Sequence, residues 1–329
     1  MSNIITFPTL NVTAQSEIIT PAPKANVFER RELPFSGIGH NITGNEKNAS
    51  VEEIVQTYFP WELGMADVSV GGQVAQGWKG IVRTDTGKVF GITKDRYKPV
   101  QNTDAFGFVD VLREQGATLE KVGCYRDGEK VWFLMKLPSR SFAGDEHDLY
   151  MFLVNGNNGK QSLFVAYTTI RAMCCNMAHL VSKNATYKMS LTHRGDLEGK
   201  LLEAQQVMAG ASQYFDGLAH TMDELRKVNL TREEMGKIIE GLFPYKDDDT
   251  ERVKRTATEK RNQLTNILFN APDLQNESMN GLRLIHALTD YESHAEPARH
   301  PEGFAENRLM NLVEKPMLAD KVTQMILTA

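Results

Sequence analysis

The chain has 329 residues, Lys+Arg 37 against Asp+Glu 42 for a formal net charge of -5, and 41% hydrophobic residues. At roughly 100–200 residues per domain this is chain enough for about two compact units, and it excludes both a disordered tail and a disulfide-stapled miniprotein. No run of about 18 apolar residues is present and the start lacks the basic and apolar regions of an export signal, so a cytoplasmic protein with no membrane partner is expected.

Residues 1–49 mix Pro21, Pro23, Pro34, Gly37, Gly39 and Gly44 with polar residues and read as a flexible amino-terminal arm. Ser50-Val-Glu-Glu53 is a capping box, in which hydroxyl and carboxylate satisfy each other's exposed amides; it opens a short helix that Pro60 stops. From Trp78 the period becomes two. Gly80–Arg83 and Lys88–Thr93 flank the turn Thr84–Gly87, which predicts a β-hairpin. Thr103 or Asn102 caps a predicted helix through Phe106, Val109 and Leu112, ended by Gly116. A second hairpin pairs Leu119–Tyr125 with Lys130–Leu137 across Arg126–Glu129, and a third pairs Leu149–Val154 with Ser162–Thr168 across Gly156–Gly159.

Hairpins need no crossover helices, so residues 50–170 predict an antiparallel sheet domain of the α+β class. Residues 171–329 read as helical. Leu197, Leu201, Ala204, Met208, Ala211, Phe215, Leu218, Met222 and Leu225 recur in steps of four and three, a single apolar stripe on one long helix over about 196–228. That stripe fits either a helix laid across the sheet or a self-association seam, and its small residues allow close approach. Thr231-Arg-Glu-Glu234 is a second capping box, residues 246–262 are crowded with charge, and further helices are predicted near Leu264–Phe269, Gly281–Tyr291 and Leu318–Ile326.

The charge is unevenly placed. Residues 1–77 carry four basic and eight acidic side chains, whereas 78–98 carry six basic (Lys79, Arg83, Lys88, Lys94, Arg96, Lys98) and two acidic (Asp85, Asp95). Trp78, Phe90 and Tyr97 are interleaved with them, and the second hairpin repeats the mixture with Lys121, Tyr125, Arg126, Lys130, Trp132, Phe133, Lys136 and Arg140. Strand alternation places cations beside aromatic rings on which bases stack, the physical arrangement for single-stranded nucleic acid; the same residues also suit solvated strands and an apolar core.

Other constellations are weaker. Gly156-Asn-Asn-Gly159-Lys160-Gln-Ser162 has two residues between its glycines where a phosphate loop has four, and reads as a turn with an exposed lysine. Asp145-Glu-His-Asp148 has ligand-type side chains, yet consecutive loop residues rarely converge on a metal. His193, Arg194, His294 and His300 read as surface or capping residues. Adjacent Cys174 and Cys175 suit neither a disulfide nor a zinc knuckle, and nothing in the sequence brings His179 to them. No catalytic constellation, cofactor motif or metal set is expected.

Trp78 with Val82-Arg83-Thr84-Asp-Thr-Gly87, the stretch Gly91 to Asn102, the Gly123–Trp132 hairpin, and Thr169-Ile-Arg171-Ala-Met-Cys174-Cys-Asn176 resemble the phage- and plasmid-borne family catalogued as domain of unknown function 932, over about residues 55–325. That family usually has Thr after the Asn; Met177 stands there, so that hydroxyl is not essential here. The resemblance implies a mobile-element origin in a bacterial host cell and brings no established activity. A cationic, aromatic hairpin sheet followed by a long helix also looks broadly like phage single-strand annealing proteins. By that analogy Lys79, Arg83, Lys88, Lys94, Arg96 and Lys98, with Arg126 and Lys130, contact phosphate. Trp78 and Tyr97 stack, Arg171 reaches the groove from the helix entrance, and the protein forms a homo-oligomer on single-stranded DNA. The alternative is a non-enzymatic module that binds a host defence, replication or transcription protein. A hydrolytic enzyme comes third.

Overall fold

The structure is a computed structural model and describes residues 32–161, 163–171, 176–178, 188–190, 197–295 and 300–328. Cys174, Cys175, His179, His193 and Arg194 lie outside the described residues. In chain order the strands are β1 His40–Asn41, β2 Leu63–Val70, β3 Gln73–Arg83, β4 Val89–Lys94, β5 Thr118–Tyr125, β6 Lys130–Phe142, β7 Asp145–Gly156, β8 Phe164–Arg171, β9 Met177–Ala178 and β10 Lys188–Ser190. The helices are α1 Val51–Tyr58, α2 Asn102–Ala105, α3 Val109–Glu114, α4 Leu197–Lys227, α5 Arg232–Leu242, α6 Glu251–Asn270, α7 Gly281–His294, α8 Phe304–Glu314 and α9 Leu318–Thr328. The class is α+β. The described residues form two compact units, 32–221 with 300–317, and 222–295 with 318–328.

The first unit holds both sheets. The larger runs β1-β5-β6-β7-β8-β10, with β9 also on β8, and every pairing is antiparallel. Its central strands are buried on both faces: Val131–Met135, Leu149–Gly156 and Phe164–Arg171 are continuous buried runs. On one face Phe106 stacks on Phe133 at 4.1 Å and Tyr214 of α4 stacks on Tyr167 at 5.7 Å; on the other Phe35 meets Tyr150 and Phe152 edge-on. The α4 stripe buries Ala204, Val207, Ala211, Tyr214, Phe215 and Leu218 within this unit, while Met208 is only half-buried.

The smaller sheet is β2-β3-β4. Its first hairpin turns on Gly71 and Gly72, both with positive φ (58° and 82°), the two-residue geometry that matches strand twist. Gln101 then ties the following segment back: its amide accepts from Leu63 N and donates to Leu63 O, both at 2.9 Å.

Several expectations are corrected. Residues 32–49 are packed, with Phe35, Ile38 and Ile42 buried and β1 paired to β5, so the described part of the arm belongs to the core. The predicted helix after residue 102 is two short ones, because Phe106 leaves helical geometry (φ −102°, ψ 5°) to reach the core. Asp145–Asp148 is the start of β7, since a tight turn at Ala143 and Gly144 (φ 48° and 76°) carries β6 directly into its partner. The sequence signals neither strand β2 nor helix α8, and residues 171–329 are not wholly helical, since the short strands β9 and β10 pair with β8. The capping boxes at Ser50 and Thr231 form as expected.

In the second unit α7 is almost wholly buried. Buried Arg283 donates to the carbonyls of Leu268, Leu274 and Glu277, and the Glu292 carboxylate accepts from Leu318 N and Ala319 N at the start of α9. Among the described residues no helix is long and apolar enough to cross a membrane.

Candidate nucleic-acid interface

The smaller sheet has two unlike faces. On one, Trp78 pairs with Lys94, Gly80 with Ile92 and Val82 with Val89. This face is bare: Trp78 is 41% exposed, Ile92 55% and Val89 59%. On the other, Ile81 is fully buried and β4 lies against the β7–β8 turn. Glycine permits that approach. A Cβ on Gly91 would fall 2.2 Å from the Asn158 carbonyl oxygen, and one on Gly159, which has φ +72°, would fall 2.9 Å from Ile81 Cδ1.

The predicted phosphate ligands separate into two groups. Lys79 pairs with Asp67 at 2.5 Å, Arg83 with Asp85 at 2.8 Å, Lys88 with Asp127 at 2.6 Å and Arg126 with Glu129 at 3.6 Å. Lys130 is held by Glu314 at 2.5 Å, and Arg171 by Asp145 at 2.6 Å. Lys130 is half-buried and Arg171 is buried. Arg171 ends β8 at 5% exposure, so it does not reach a surface groove from a helix entrance. The mixture on the second hairpin is likewise committed: Trp132 and Phe133 are core, Lys121 is buried on the Phe35 carbonyl, Lys136 pairs with Asp148 and Arg140 with Asp216.

Lys94, Arg96 and Lys98 behave differently. All three are exposed and none has a carboxylate partner among the described residues. Lys94 Nζ instead lies 3.5 Å from the centre of the Trp78 ring. Exposed Lys160, on the turn that touches β4, is a fourth cation of this kind. Sequence reading passed over it as a turn lysine, although its position after Gly159 was the available signal.

Between the Tyr97 segment and this turn is a cavity of about 390 Å³. Leu63, Tyr97, Val100 and Leu163 supply apolar walls, Asn155 and Asn157 supply amides, and Lys160 also lines it. The amides are wired together. Asn155 Nδ2 donates to Asn102 Oδ1 at 3.3 Å and Asn157 Oδ1 at 2.9 Å, and Asn157 Nδ2 donates to the Gly128 carbonyl at 2.8 Å. Burial raises the Tyr97 phenol above its ordinary range, which keeps it neutral.

The acidic run offers no metal centre: Asp145 is on Arg171, Asp148 on Lys136, and His147 is buried and stacked on Phe142 at 3.9 Å. Burial pushes the His147 imidazole down to about 4. Among the described residues no three side chains are grouped to hold a metal.

A family model described as Domain of unknown function (DUF932) matches residues 89–313. The chain belongs to that family. The DUF932 match begins at the first residue of β4, so Lys94, Arg96, Tyr97, Lys98, Arg126, Lys130 and Arg171 fall inside it, while Trp78, Lys79, Arg83 and Lys88 precede it. The cavity residues from Tyr97 to Leu163 are inside the DUF932 segment; Leu63 is contributed from before it. No curated protein and no solved structure matches the chain.

Proposed function

We propose that the protein binds single-stranded nucleic acid through the exposed cations Lys94, Arg96, Lys98 and Lys160 and the rings of Trp78 and Tyr97, a strand passing from the Trp78–Lys94 face round the end of β4 to the β7–β8 turn on the other face. The carrying observation is the contrast in charge: six candidate cations are neutralised by carboxylates, whereas Lys94, Arg96 and Lys98 are exposed without one, and Lys94 rests on the part-exposed indole of Trp78. Cations tracking phosphates with a ring to receive a base give affinity without sequence readout. With four phosphates neutralised on a single strand, log K should fall with log salt at a slope of about −3. Fluorescence anisotropy with a labelled oligonucleotide across a salt series tests this. A flat salt response, or unchanged binding in the Lys94→Glu plus Arg96→Glu variant, removes the reading. A role in annealing strands during recombination, in a phage or other mobile element inside a bacterial cell, extends it and requires several protomers per strand; size-exclusion chromatography with and without single-stranded DNA reads that assembly.

A second reading has its own support. Val89, Ile92 and Trp78 make an exposed apolar face, and such faces suit a protein partner. A host-protein module would keep its complex through the same charge reversals and lose it on Ile92→Asp.

A further inference from the structure

We infer that the cavity beside Tyr97 receives one nucleobase, with Lys160 holding a phosphate of the same nucleotide. The assignment rests on the nucleic-acid reading above and names the part of the strand that this site takes. At about 390 Å³ the cavity is at the smaller end of ligand sites, which span roughly 300–1,000 Å³. Its chemistry is that of a base. Tyr97 presents a flat ring that stacks on no other ring among the described residues, and Leu63, Val100 and Leu163 close the remaining apolar surface. No carboxylate lines it, which disfavours amines and favours an anion at the Lys160 margin.

The amide wiring supplies the polar part. Both hydrogens of Asn155 Nδ2 are spent on Asn102 and Asn157, so the polar atom this lining residue has left to offer is its Oδ1, an acceptor that no described residue fills. An exocyclic amino or ring imino group on a base edge is the matching donor, and side-chain amides read such edges. Tyr97 lies between Arg96 and Lys98, so a base on its ring leaves the neighbouring phosphates beside those cations and Lys160. Extruding a base from a strand onto an aromatic ring is the usual way single strands are held.

The test uses the full chain, an oligonucleotide carrying one 2-aminopurine, and the four common nucleoside monophosphates. Val100→Trp fills the cavity, Tyr97→Leu removes the ring with little change of volume, and Lys160→Ala removes the anion contact on an exposed turn. Thermal melting checks that each variant folds. The expected result is a rise in 2-aminopurine fluorescence on binding that is lost in Val100→Trp or Tyr97→Leu, with monophosphate affinity falling about tenfold in either. Lys160→Ala should weaken a monophosphate but leave the corresponding nucleoside unchanged. If the strand binds and 2-aminopurine responds identically in wild type and both cavity variants, the inference is overturned while the strand reading stands. If no strand binds but monophosphates do, in a cavity-dependent way, the base site stands and the strand reading falls. Binding of neither overturns both.

Discussion

Lys94 and Trp78 stand directly opposite each other on paired strands, and the lysine ammonium rests 3.5 Å from the centre of the indole ring. On the proposed reading the pair supplies a strand with a positive charge and a stacking surface from one place, and a base that takes the ring would displace the ammonium toward its phosphate. Trp61 and Trp132, the other tryptophans, are 7% and 1% exposed. Acrylamide should therefore quench Trp78 almost alone. Oligonucleotide should protect that quenchable fraction, and Trp78→Phe should abolish it while leaving the buried emission intact. Trp78→Ala should weaken strand binding by about 5–100-fold, the range for loss of one stacked base.

The two groups of cations predict opposite mutational outcomes. Lys79→Gln and Lys88→Gln remove charges already balanced by Asp67 and Asp127, so anisotropy should show strand affinity changed by less than about twofold. Arg96→Gln and Lys98→Gln each remove an unbalanced charge, and each should reduce the magnitude of the salt slope by about 0.7. Equal effects in the two groups would mean that the ion pairs open to release their cations.

Arg171 should matter for folding. Its guanidinium is buried on Asp145, so Arg171→Met leaves a buried carboxylate uncompensated and should cost about 3–5 kcal/mol in urea denaturation. Replacing both, Asp145→Asn with Arg171→Met, should recover part of that loss. Equal losses in the single and double variants would show that leaving the Asp145 carboxylate unpaired costs nothing beyond the loss of Arg171 itself, and would refute this account.

The two units should respond to pH in opposite directions. His147 in the sheet unit is pushed down to about 4 by burial, so its native state binds fewer protons than the unfolded state between there and the ordinary value of 6.5. That stability is full above about 6.5 and lost as pH falls toward 4. Glu292 in the helical unit is raised to about 7, chiefly by burial, from an ordinary 4.5. Its native state binds the extra proton, so its contribution is full below about 4.5 and declines as pH rises through 7. All three tryptophans lie in the sheet unit. Their emission should lose its native value on acidification before helical circular dichroism does, and Glu292→Gln should flatten the alkaline decline without moving the tryptophan transition. Coincident transitions with no shift in Glu292→Gln would refute the assignment.

Local signals were legible in the sequence, and long-range ones were not. Strand alternation with a turn residue located the β3–β4 and β5–β6 hairpins, and hydroxyl-to-glutamate spacing located the starts of α1 and α5. These depend on neighbours within four residues. The fate of the charges depends on partners far along the chain: Lys88 finds Asp127 39 positions away and Lys130 finds Glu314 184 positions away. A charge count along residues 78–98 therefore overstates the free positive surface. Asp145–Asp148 read as a loop because four polar residues carry no period of their own; pairing with β6 makes them a strand. The cavity was invisible for the same reason, since Leu63, Tyr97 and Asn155 meet only through folding.

The Gln101 side chain carries one more consequence. Its amide satisfies both backbone groups of Leu63 where a further strand would otherwise dock, so it acts as a false neighbour at the outer margin of β2. An open margin is a template for sheet growth between molecules. By filling the first rung itself, Gln101 closes the Leu63 position to an added strand and, through the same carboxamide, ties the Tyr97 segment to the sheet.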